Sequence, residues 1–143
     1  MTSKDYLTGQ NHKQNDIIYI ADFETSKYAN KTWVYLWCVS PLNSNEFYNG
    51  YDIISFINFI QKHSGRYFFH NAKFDVSFII SYLLKNGFVY SEKKIPNSIQ
   101  TLYSGNGNFY SCKINFSYVD KRNKKINSST ILDSQKLLIS SVE

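Results

Sequence analysis

The sequence is poor in what staples or anchors a chain. Its two cysteines, Cys38 and Cys112, lie far apart with no second pair to build a metal knuckle or a disulfide framework. Both are expected to be buried free thiols in a reducing compartment. Long apolar runs are missing too. The stretch from Val76 to Leu84 is broken by Ser77 and Ser81 and is too short to span a bilayer, and residues 1–16 are polar, without the apolar core of a signal peptide. The expectation is a soluble, intracellular protein with no membrane contact. There is no internal repeat, low-complexity tract or linker, and 143 residues leave room for one domain but not for a separate substrate lobe. Charged residues reach only 19% against 43% apolar, which excludes a disordered chain and provides enough apolar surface for one core. The charge that is present is lopsided. Sixteen Lys and Arg against 11 Asp and Glu give +5, which suits a phosphate-bearing partner without identifying one.

After the polar arm, Ile17 to Ala21 is a continuous apolar run ending in Asp22, the pattern of a strand buried on both faces and leaving the core at the acid. Trp33 to Val39 reads as a second strand and Glu46 to Tyr48 as a short third, and the short connections predict an antiparallel meander. At Asp52 the period changes. Ile53, Phe56, Ile57 and Ile60 fall at helical spacing, with Asp52 as N-cap and Ser64-Gly65 as the stop. Arg66 to His70 is a strand reached through a helix, hence parallel to an earlier one. Asn71-Ala72-Lys73 is read as a turn before a second helix, whose face carries Val76, Ile79, Ile80 and Leu83 and which Asn86-Gly87 closes. Ile99–Tyr103, Phe109–Val119 and Lys125–Leu132 read as further strands, and Asp133 to Leu138 as the opening turns of a helix. The outline is an α/β layer structure.

Asp22 and Glu24 lie two apart on extended chain, so their carboxylates project to one side. If the strand ending at His70 neighbours the first, Asp75 at the head of the second helix faces them across the crevice beyond the strand ends. Three carboxylates converging there repel one another unless a divalent cation is present, and hard oxygen ligands select Mg²⁺ or Mn²⁺. Two such ions can activate a water and stabilise the leaving oxygen in phosphodiester cleavage. The plainer alternative is a strand end at the surface, with Asp75 merely favouring the positive end of its helix.

Tyr19-Ile20-Ala21-Asp22-Phe23-Glu24-Thr25 resembles the first exonuclease motif of protein-primed family B DNA polymerases of the phi29-like phage and linear-plasmid type. The segment from Phe69 to Ile80, FHNAKFDVSFII, closely resembles their second motif, and the likeness continues through Tyr82–Phe88 and Ile95-Pro96-Asn97 to Asp133-Ser134. The resemblance implies a ribonuclease H-like α/β fold, a mixed sheet with flanking helices over residues 17–143. It also implies a 3′→5′ proofreading exonuclease of the DEDD class acting on single-stranded DNA ends. Asp22 and Glu24 match its first-motif metal ligands and Asp75 the second-motif acid. Thr25, His70, Asn71 and Phe74 match positions that hold the frayed primer end, Phe78 an aromatic of the same region, and Ser134 a further strand-contacting serine, whose usual leucine neighbour is Gln135 here. Asp133 matches a structural position.

Each side chain also has an ordinary reading: Asn71 as a helix cap, Phe74 as core filling, His70 as a satisfied strand-end histidine, and Thr25 as a turn hydroxyl. Lys121, Arg122, Lys124 and Lys125 either form a solvated turn or screen nearby phosphates. The family's third motif, a tyrosine with an aspartate four residues on, does not follow Ser134 before Glu143, so the expectation is a truncated domain lacking one ligand of its two-metal site. Two functions are therefore expected in competition. One is the exonuclease part of a phage or plasmid polymerase, working with the remaining polymerase chain or terminal protein in a host cytoplasm. The other is an inactive scaffold kept by a phage or mobile element to bind single-stranded DNA or a host protein.

Overall fold

The computed structural model describes residues 17–135, so the polar stretch 1–16 and the expected helical turns from Lys136 to Leu138 lie outside it. β1 (Ile18–Tyr28) and β2 (Lys31–Pro41) form a long antiparallel hairpin, with Tyr19 opposite Pro41 and Tyr28 opposite Lys31. β3 (Tyr48–Gly50) adds antiparallel to β2, completing the expected meander. β1 differs from the expectation twice. It runs six residues past Asp22 instead of ending there. Tyr19, Ala21 and Phe23 are buried whereas Ile20 stays 47% exposed, so one face is covered and not both. The apolar run alone could not show this, because a strand with an uncovered apolar residue reads the same in sequence.

α1 (Ile53–Lys62) is capped by Asp52, whose carboxylate accepts the Ser55 N–H at 2.8 Å, and buries Phe56, Ile57 and Ile60. It carries the chain across to β4 (Arg66–Phe69), which pairs parallel with β1 from Ile18–Arg66 to Ala21–Phe69. α2 (Ala72–Lys85) starts directly after Asn71, leaving no room for the expected three-residue turn. β5 (Val89–Tyr90), too short to carry a period, had no sequence signature; β6 (Ser98–Tyr103), β7 (Phe109–Asp120) and β8 (Lys125–Asp133) follow. Among the described residues the sheet has eight strands in the order β3-β2-β1-β4-β8-β7-β6-β5, with β8 parallel to β4.

Both helices bury their apolar stripes in one core on one face of this sheet. The Phe56 ring of α1 meets Phe23 edge-on at 4.8 Å and Phe69 at 5.9 Å, while Tyr19 stacks on Tyr67 at 4.5 Å. Val76, Ile79 and Leu83 of α2 join Ile99, Ile114 and Ile131. Cys112 lies in this core, but Cys38 is only half-buried, against expectation, because β2 turns it to the face away from the helices; both thiols are free.

Gly65 marks the tight join into β4. A Cβ there would sit 2.7 Å from the Ile17 carbonyl oxygen and 2.8 Å from the Tyr19 ring. The Ile17 carbonyl cannot retreat easily, since it accepts the Arg66 N–H at 2.8 Å. Gly65→Ala is expected to cost about 1–3 kcal/mol, read as a lower urea midpoint at unchanged slope.

Candidate functional site

Asp22 and Glu24 stand on β1 immediately past its last pairing with β4, Ala21–Phe69, where the sheet gives way to the free hairpin. Phe23 between them points into the core, so both exposed carboxylates point to the face away from α1 and α2. Directly opposite Asp22 is Cys38. Burial, and then the charges of Asp22 and Glu24, raise its thiol pKa, so that thiol stays protonated and inert. Between Glu24 and Thr25 the register shifts: Glu24 faces Leu36 and Thr25 faces Val34, leaving Tyr35 as the extra residue of a β-bulge. Thr25 is half-buried at this kink.

The third acid arrives from the neighbouring parallel strand. β4 ends at Phe69, His70 is exposed, and Asn71 takes left-handed backbone angles (φ 62°, ψ 53°) that asparagine tolerates better than most residues. Its side chain makes no capping bond, so the capping alternative is corrected. Its N–H instead donates to Asp133 Oδ1 at 3.2 Å, the same atom that accepts the Gln135 N–H at 2.9 Å. Asp133 therefore ties the end of β8 to the start of α2 and fixes where Asn71 stands. One turn into α2, Asp75 is 7% exposed. Its carboxyl pKa is pushed up to about 7, by burial first, then by Asp22 and then by Glu24. A helix N-terminus ordinarily favours a charged carboxylate, so the opposing terms dominate here.

Phe74 is 55% exposed and meets Phe78 edge-on at 5.2 Å, so it does not fill the core; Phe78, half-buried, packs against it. Ser134 is half-buried just past Asp133. The basic turn Lys121–Lys125 lies elsewhere. β8 runs parallel to β4 and begins at Lys125, which puts that turn at the end of the sheet opposite Asp22, where it cannot screen phosphates at the acids.

The donor set of Asp22, Glu24 and Asp75 is oxygen alone, which fits a hard divalent cation in kind. It is incomplete in geometry. Among the described residues no three His, Cys, Asp or Glu side chains lie close enough to hold one ion. Asp75 lies within electrostatic reach of Asp22 and Glu24, with Asn71 at the entry to α2 and Phe74 in its first turn. Sequence reasoning missed the long continuation of the hairpin beyond the acids. The β-rich run starting at Trp33 was its signal, but the Asp-x-Glu pair was read as a strand end.

The chain is 34% identical over 123 residues to the DNA polymerase of Bacillus phage phi29, and 31% over 124 residues to that of Bacillus phage Nf. Each match covers 85% of this chain. The chain is homologous to the amino-terminal region of phi29-like DNA polymerases. No protein-family model matches it. It superimposes on phi29 DNA polymerase complexed with single-stranded DNA with a TM-score of 0.77 at 29% identity. Against the same enzyme complexed with primer-template DNA, the TM-score is 0.76 at 30% identity. Each superposition covers 85% of this chain. The fold is thus the α/β, ribonuclease H-like exonuclease fold. The likeness supports an exonuclease-type domain of a phage-type DNA polymerase. The chain spans 21% of the length of the polymerases it matches. Among the described residues no helix is long and apolar enough to cross a membrane.

Proposed function

We propose that the chain acts as a 3′→5′ exonuclease-type proofreading domain that receives a single-stranded DNA end at the mouth of β1 and β4. The observation that carries this reading is the placement of a buried acid, Asp75, in the first turn of α2, within electrostatic reach of the exposed pair Asp22 and Glu24 where β1 leaves its parallel pairing with β4. In this reading Asp22, Glu24 and Asp75 hold Mg²⁺ or Mn²⁺, which when bound supplies charge neutralisation and an acidified water. Phe74 offers an exposed ring for base stacking, supported from the side by Phe78. Asn71, free of capping duty, offers an amide to a base or sugar edge, with His70 exposed beside it and Thr25 and Ser134 at the rims. In this reading hydrolysis supported by Asp22, Glu24 and Asp75 alone is slow, and a further acidic ligand completes the site. That same gap favours the second reading, a scaffold that binds single-stranded DNA without cutting it.

Release of the terminal nucleotide from 3′-labelled single-stranded DNA in Mg²⁺ or Mn²⁺ tests the proposal. Slow release is expected, abolished by chelation and by Asp22→Ala. Binding without any release above the Asp22→Ala level transfers the conclusion to the second reading, and absence of both overturns the two together.

A further inference from the structure

The β1–β2 hairpin extends well beyond the acids. Sheet pairing with β4 stops at Ala21, and β3 reaches β2 only at Trp37–Val39, so from Glu24 to the tip the arm is two strands wide. Burial alternates along β1 from Ile18 to Glu24, and beyond the bulge the sides of the arm follow from the cross-strand pairs. Phe23 faces the core, Glu24 the face away from α1 and α2, Thr25 sits opposite the buried Val34, and Ser26 and Tyr28 return to the face of Glu24. Across the ladder Ser26 lies opposite Trp33 and Tyr28 opposite Lys31, so these partners share that face. One side of the arm thus carries Asp22 and Glu24, then Trp33 opposite Ser26 about two residues or roughly 7 Å past Glu24, and Tyr28 with Lys31 about four residues or roughly 13 Å past it.

The chemistry changes sign along this track. From Thr25 to Tyr35 there is no acidic residue, whereas Lys27 and Lys31 are both exposed. Tyr28 is 78% exposed and Trp33 44%, and neither ring stacks on another ring among the described residues. Two large aromatic rings left in water on a narrow arm gain nothing for the core. With a lysine beside them, they have the composition of a sequence-tolerant platform, in which rings take base faces and an ammonium takes phosphate.

We propose that the side of the β1–β2 arm facing away from α1 and α2 is a second contact for single-stranded DNA: Tyr28 and Trp33 stack on bases upstream of the 3′ end, and Lys31 pairs with the backbone. The inference rests on the reading of Asp22, Glu24 and Asp75 as the site that receives that end. Its purpose is mechanical. A terminal nucleotide held only at Phe74 and Asn71 can swing, and a second grip several residues away fixes the direction of the strand across the acids.

Fluorescence anisotropy with labelled hexathymidylate in EDTA provides the test, comparing the unaltered chain with Tyr28→Ala/Trp33→Ala, Tyr28→Phe/Trp33→Phe, Lys31→Gln and Phe74→Ala. The alanine double variant is expected to bind roughly 10- to 100-fold more weakly at unchanged thermal midpoint, and the phenylalanine variant to recover most of the loss. Lys31→Gln is expected to reduce the slope of log affinity against log salt by about 0.7. If Phe74→Ala weakens binding while the alanine double variant stays within twofold of the unaltered chain, the arm plays no part and the end-binding site alone remains. If the unaltered chain binds no hexathymidylate, the proposed function fails and the arm contact fails with it.

Discussion

Asp75→Asn is expected to make the metal-free protein more stable at pH 8 and to remove its response to Mg²⁺. The Asp75 carboxyl sits in the fold with its pKa pushed up to about 7, against about 4 in an unfolded chain, because burial and the charges of Asp22 and Glu24 oppose ionisation. Between those values the folded chain holds a proton that the unfolded chain has lost. Stability is therefore greatest below pH 4 as far as this group is concerned and is lost as the pH rises through 7, by at most about 4 kcal/mol. Asparagine keeps the shape and discards the charge, so the variant should show a flat profile from pH 4 to 8, with its advantage over the unaltered chain growing toward the alkaline end. A divalent cation reverses the ranking by relieving the same repulsion in the unaltered chain alone, with a gain set by its concentration relative to its dissociation constant. Urea unfolding at several pH values, with and without Mg²⁺, measures both effects. An unaltered chain whose stability does not fall between pH 4 and 7.5 would show that the Asp75 carboxyl is not held in this buried, like-charged surrounding.

The second large effect comes from the core beneath the site. Phe69→Ala is expected to cost about 3–5 kcal/mol, because the ring is fully buried between Phe23 at 4.9 Å and Phe56 at 5.9 Å. That is a large share of the roughly 5–15 kcal/mol that holds a domain together. Phe69 is also the last residue of β4, so the cavity opens under His70 and Asn71, and DNA binding is expected to fall along with stability. Phe74→Ala is the matched control: the same substitution five residues on, at a ring 55% exposed, should change stability by less than about 1 kcal/mol while still weakening DNA binding. Equilibrium unfolding of the two variants side by side decides the matter, and equal losses would mean that Phe74 is part of the core after all.

Much of this was readable in the chain itself, for a definite reason. Apolar periodicity reports which residues must leave water, so the stripe Phe56, Ile57, Ile60 and the stripe Val76, Ile79, Ile80, Leu83 foretold both helices and their buried faces. The Asp52 cap is a local bond across three residues and was equally legible. β1 was legible as a strand but not in its extent or its exposure, because no pattern within Ile17–Asp22 says that the helices pack on one face only. The Asn71 turn was misread for a similar reason. What keeps Asn71 in place is Asp133, far away in sequence, and a two-residue join with one residue in left-handed geometry leaves little trace beyond the asparagine itself.

By itself, the order of residues determined that a hairpin, a helix, a strand and a second helix would form, and that two acids on β1 would share a side. It also carried the motifs that mark the kinship with phage polymerases. Only the tertiary structure decided that β4 lies beside β1, that Asp75 is buried within electrostatic reach of Asp22 and Glu24, that Phe74 faces water, and that the hairpin continues past the acids with its own aromatic side. Backbone preference and side-chain periodicity act over a few residues and are written locally. The energy of a charge depends on everything packed around it, and that is settled only when distant segments meet.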